Sequence, residues 1–78
     1  MSNIKLNADL DTLKRNEQII DWSVCLGYGD AEYTLELGNR NALDLKVLAK
    51  RLSDSYGAKS FSRYVEGSNV AVKFMIDL

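Results

Sequence analysis

The residues of this chain that could do chemistry are eleven carboxylates and one thiol. Glu32 and Glu36 lie four residues apart in a stretch that alternates as a strand does, so they share one face. Asp21 can join them from a facing strand, and Asp30 sits in the turn between the two. Paired carboxylates can serve hydrolysis as acid and base, or hold a hard cation. Alternation also produces this pattern on a sheet face that only meets water, and that solvated face is the expected reading. Cys25 falls on the same face, and its acidic neighbours argue against a nucleophilic role.

Other chemistries fail on residue type. The chain has no histidine, which removes the commonest general base, the usual nucleophile-activating partner and the commonest metal ligand. A lone cysteine builds neither an internal disulfide nor a thiolate zinc site. Gly27-Tyr28-Gly29-Asp30 is too short for a dinucleotide-binding loop and reads as a hairpin turn. No catalytic residue, metal site or cofactor is expected, and the chain is read as no enzyme.

Seventy-eight residues make a single domain with a modest core. The 46% apolar share is that of a globular protein. Ten Lys+Arg against eleven Asp+Glu leave a net charge of −1. That balance disfavours both a charge-driven nucleic-acid binder and a polybasic membrane anchor. The opening MSNIKLNADLD does not read as a signal peptide and no apolar run is long enough to span a bilayer, so a cytoplasmic, non-membrane protein is expected.

The clearest element is a helix over Asn41 to Gly57. Ala42, Leu45, Leu48, Ala49, Leu52 and Tyr56 gather in a sector roughly 120° wide at about 100° per residue. Asn41 is a good N-cap, Asp44 suits the first turn, and Gly57 can close the last. Leu43 and Val47 project to the opposite side. Either the N-terminal segment covers them, or they are simply exposed as isolated apolar residues often are, or a partner docks there.

Residues 19–37 read as a hairpin, with Ile20, Trp22, Val24, Leu26 and Tyr28 alternating against Ala31, Tyr33, Leu35 and Leu37. A two-residue Gly29-Asp30 turn would pair Tyr28 with Ala31, Leu26 with Tyr33, Val24 with Leu35 and Trp22 with Leu37. The rival reading is a helix through residues 11–26. Residues 59–78 read as a second hairpin that pairs Val65 with Val70, Arg63 with Val72 and Phe61 with Phe74. Arg63, alone among apolar residues on its face, either reaches water past a sheet edge or needs an anionic partner. Residues 1–18 suit an extended start and a short helix from about Ala8 to Gln18, packed at an edge. The expected fold is therefore α+β: a two-layer sandwich with a four-stranded, mostly antiparallel sheet, hairpin–helix–hairpin, and one main helix on one face.

The functional expectation is a non-enzymatic protein-binding module, an inhibitor that occludes a surface of a host complex. One candidate surface is the outer helix face, with Arg40, Leu43, Val47, Lys50 and Arg51: an apolar centre with a charged rim. The second is the acidic sheet face of Asp21, Asp30, Glu32 and Glu36, which suits a basic groove. A weak nucleic-acid-binding domain using the helix's basic side and a self-associating subunit, monomer or homodimer, are the alternatives. In general character the chain is similar to the small accessory proteins of bacteriophages and mobile elements, anti-CRISPR proteins and host-takeover inhibitors among them. No residue motif carries that likeness, so no site is transferred from it.

Overall fold

A computed structural model describes residues 2–38 and 45–78. Helix α1 spans Ser2–Arg15, strands β1 and β2 span Asp21–Leu26 and Asp30–Gly38, helix α2 spans Leu45–Tyr56, and strands β3 and β4 span Lys59–Glu66 and Asn69–Asp77. The strands form one four-stranded sheet in the order β1-β2-β4-β3, and every pairing is antiparallel. The fold is α+β, with both helices on one face of the sheet.

The core shows how the layers meet. Leu6, Leu10 and Leu13 of α1 recur at helical spacing and are buried, as are Leu48 and Leu52 of α2. They pack on Ala31, Tyr33, Leu35, Val72, Phe74 and Ile76, the inward residues of the central strands. An aromatic row crosses the whole sheet beneath them. Trp22 of β1 stacks on Tyr33 of β2 at 6.0 Å, Tyr33 on Phe74 of β4 at 5.3 Å, and Phe61 of β3 meets Phe74 at 5.5 Å. Such offset contacts add to the area that these side chains bury.

The N-terminal segment differs from expectation. There is no extended start: α1 begins at Ser2 and ends at Arg15 rather than running from Ala8 to Gln18. It also lies on the sheet face rather than beside an edge. Trp22 Nε1 donates to Asp11 at 2.9 Å and the Tyr33 hydroxyl to Asn7 Oδ1 at 2.6 Å, which sets α1 over the β1–β2 half. The Leu6/Leu10/Leu13 stripe decides this, because those leucines can be buried together only in a helix. The helices end in different caps. Gln18 N–H returns to Leu13 C=O and Glu17 N–H to Lys14 C=O, a Schellman motif; at the end of α2 the Gly57 N–H returns to Ser53 C=O, an αL cap, and Ala58 N–H reaches Leu52 C=O. Residues 21–26 are strand, not a continuation of a helix.

The first hairpin keeps its expected faces but shifts its register by two. Leu26 pairs with Ala31, Val24 with Tyr33, Trp22 with Leu35 and Asp21 with Glu36. The turn is Tyr28-Gly29, closed by Gly27 N–H to Asp30 C=O at 2.9 Å, and Asp30 belongs to β2. Gly29 holds φ at +80°, which a glycine reaches without strain, while Asp30 in strand conformation can pair with Asp77. The second hairpin pairs Arg63 with Val72 and Val65 with Val70 as expected. A bulge between Lys59 and Ser62, with Ser60 at φ +58°, re-aims Phe61 onto Phe74.

Candidate interaction surface: the open face of the sheet

The helices cover one face of the sheet, and no other described element covers the second. Strand alternation puts Asp21, Ser23 and Cys25 of β1, Glu32, Thr34 and Glu36 of β2, Ala71, Lys73 and Met75 of β4, and Ser62 and Tyr64 of β3 on that open face. The pairings bring the expected acids together. Asp21 stands directly opposite Glu36, and Cys25 opposite Glu32. Asp30 pairs with Asp77 where the two strands end. All but Asp30, which is half-buried, are exposed.

Lysines moderate this acidity at its borders. Lys14 at the end of α1 reaches Asp21 at 3.2 Å, Lys73 approaches Glu32 at 3.8 Å, and Lys59 binds Asp77 at 2.8 Å. The Trp22 backbone N–H donates to Asp21 Oδ1 at 2.8 Å, and this bond, with Lys14 beside it, holds the Asp21 carboxyl below the usual carboxylate range. Lys73 also lies over the Tyr64 ring, 5.6 Å from its centre. Glu36 has Asp21 opposite and Ala71 on its other side, so neither cross-strand neighbour compensates its charge.

The geometry does not suit paired-acid hydrolysis by Glu32 and Glu36. Four strand residues separate them by about 13 Å, beyond the roughly 5 to 10 Å that such pairs use. Among the described residues no three acids or thiols come together as a metal site. Cys25 is a free, exposed thiol.

The outer helix surface falls only in part within the described residues. Val47 is 63% exposed and Lys50 and Arg51 beside it are exposed, so the N-terminal segment does not cover Val47. Arg40 and Leu43, with Asn41, expected as the cap, and with Ala42 and Asp44, lie outside the described residues. Arg63 is exposed at the β3 edge, where its guanidinium reaches water, and it lines a cleft of about 140 Å³ with Ala49, Phe61, Ser62 and Val72.

The chain matches no protein-family model, and no curated protein or solved structure matches it significantly. Its surfaces alone carry the functional argument.

The sequence placed Arg63 near a sheet edge but did not show that β1 and β3 are the two edge strands. Val24 and Leu26 on β1, and Phe61 and Val65 on β3, belong to the inward face yet are 38%, 68%, 36% and 58% exposed. The helices do not reach over them. Alternation marks a residue as inward; only strand order shows that its strand is an edge.

Proposed function

We propose that this chain is a non-enzymatic protein-binding module that acts by covering a partner's surface, as a small inhibitor does. The carrying observation is the open sheet face, on which Asp21, Glu36 and Glu32 stand in register across β1 and β2. Paired strands fix the backbone positions that carry these carboxylates before any encounter, which lowers the ordering cost of association. The partner chemistry that fits is a basic groove, including one that otherwise holds nucleic acid. The helix face with Val47, Lys50 and Arg51 is the competing surface.

Capture from a lysate of the native host, read by mass spectrometry, tests the reading. Glu32→Gln combined with Glu36→Lys should lose the captured partner, while Val47→Asp combined with Lys50→Glu should keep it. All four side chains are exposed, so both variants should remain folded. The reverse result would move the site to the helix. A bait that captures nothing specific would refute the binding reading.

A further inference from the structure

Among the described residues both ends of the sheet are open edges, and they are not alike. The β3 edge is guarded. It carries Lys59, Arg63 and Glu66 and the Ser60 bulge, the devices that keep edge strands from pairing with other chains. The β1 edge has little of this protection. Among its six residues, DWSVCL, Asp21 is the only charge, at the first position. Val24 and Leu26 are partly uncovered, and Ile4 of α1 and Leu78 are exposed as well.

We infer that the β1 edge is a self-association surface, and that its occupant is the β1 strand of a second copy of this chain, antiparallel to the first. The register follows from which backbone groups are free. Gly27 N–H bonds Asp30, so by strand alternation Cys25, Ser23 and Asp21 also point their backbone groups at β2. Trp22, Val24 and Leu26 point theirs away from the sheet. The Trp22 N–H is already held by the Asp21 carboxylate at 2.8 Å. Val24 and Leu26 therefore supply the edge donors and acceptors that need a partner.

One register uses only those groups. The twofold axis passes Cys25, so that Val24 of each copy exchanges both backbone hydrogen bonds with Leu26 of the other. Registers centred on Ser23 or Val24 would require Trp22 N–H to leave its carboxylate. With Cys25 at the axis, Val24 packs beside Leu26 across the seam on the inward face, Ser23 meets Gly27 on the outer face, and each Asp21 stays beyond the paired segment with its own Lys14. No like charges oppose each other. The two sheets become one of eight strands, and the isologous contact closes on itself without leaving a sticky end. This inference stands apart from the binding proposal, and either can fail alone.

The two Cys25 residues would then face each other as a non-hydrogen-bonded pair with Cα atoms about 4.5 Å apart, a spacing that a disulfide spans. That gives a readout of the register as well as of the dimer. Sedimentation of the full chain across a concentration series should show a dimer of the 8.8 kDa protein. Diamide, which takes two electrons and two protons from a thiol pair, should link it covalently through Cys25. Cys25→Ser should still dimerise reversibly. Leu26→Lys should give a monomer with unchanged far-UV circular dichroism, and Tyr64→Lys on the guarded edge should leave the dimer intact. If Leu26→Lys unfolds, Val24→Pro serves instead, because it removes an outward N–H at an edge position that tolerates proline. A monomer at every concentration, a dimer that survives both β1 substitutions, or a dimer that diamide does not link would each overturn the inference.

Discussion

Tyr33 and Asp21 show how one side chain responds to where the fold puts it. Tyr33 lies between Trp22 and Phe74, and its hydroxyl finds Asn7 of α1. Burial pushes its phenol above the ordinary 10.0. The unfolded chain then ionises first. This contribution to stability is whole below pH 10.0 and is lost as pH rises through the folded value. Tyr33→Phe should blunt alkaline unfolding, at a cost near neutrality of about 1 kcal/mol for the hydrogen bond to Asn7. Urea midpoints at neutral and alkaline pH measure both effects. Asp21 has the opposite sign. Its folded value is depressed, first by the Trp22 N–H and then by Lys14, so its contribution is present above the ordinary 3.8 and lost as pH falls through the folded value. Asp21→Asn should therefore flatten the acid limb of the stability profile. An unchanged acid limb would show that the Trp22 and Lys14 contacts do not persist in solution. Glu32, Glu36, Asp21 and Cys25 were legible as one face because alternation has a period of two. Their cross-strand neighbours were not, since a register shift of two keeps every face and changes every partner.

At the scale of elements, α1 is an equal partner of α2. The α2 stripe is plain in the sequence, whereas α1 is disguised by Ile4, Leu6, Ala8 and Leu10, which also alternate as a strand. The structure buries Leu6 and Leu10 completely, and the Tyr56 hydroxyl of α2 donates to Asp9 of α1, tying the helices together. Leu10→Ala should cost about 2–5 kcal/mol, the same class of loss as Leu52→Ala on α2. Denaturation curves of the two variants test this, and a Leu10→Ala loss below about 1 kcal/mol would make α1 peripheral. Gly38 is the other element-level constraint. It holds φ +65° at the end of β2, and the Ile20 side chain occupies the place of a Cβ. The second hairpin was read in its observed register because Gly67-Ser68 closes it where the apolar pairs demand, and Arg63 was correctly seen as the odd residue on its face. The Ser60 bulge was not visible, since a bulge is a choice between two pairings made by the neighbouring strand.

For the molecule as a whole, one core joins both helices to all the central strands, and the aromatic row links the two hairpins. The chain should unfold as one unit. Trp22, the single tryptophan, reports from the α1–β1 contact, so its fluorescence and the far-UV circular dichroism should give coincident melts. Separate transitions would mean that the α1–β1–β2 half is independent. The amino-acid sequence by itself determined the class of fold, the number of strands, the α2 stripe and the assignment of inward and outward residues, because each is written in local periodicity. Only the tertiary structure decided that β4 rather than β3 lies beside β2, that α1 joins the core, and that β1 and β3 are the edges. The physical reason is that strand order and helix docking are settled by burial shared between distant segments. The pattern within one segment records which face must be covered and carries no record of which neighbour covers it.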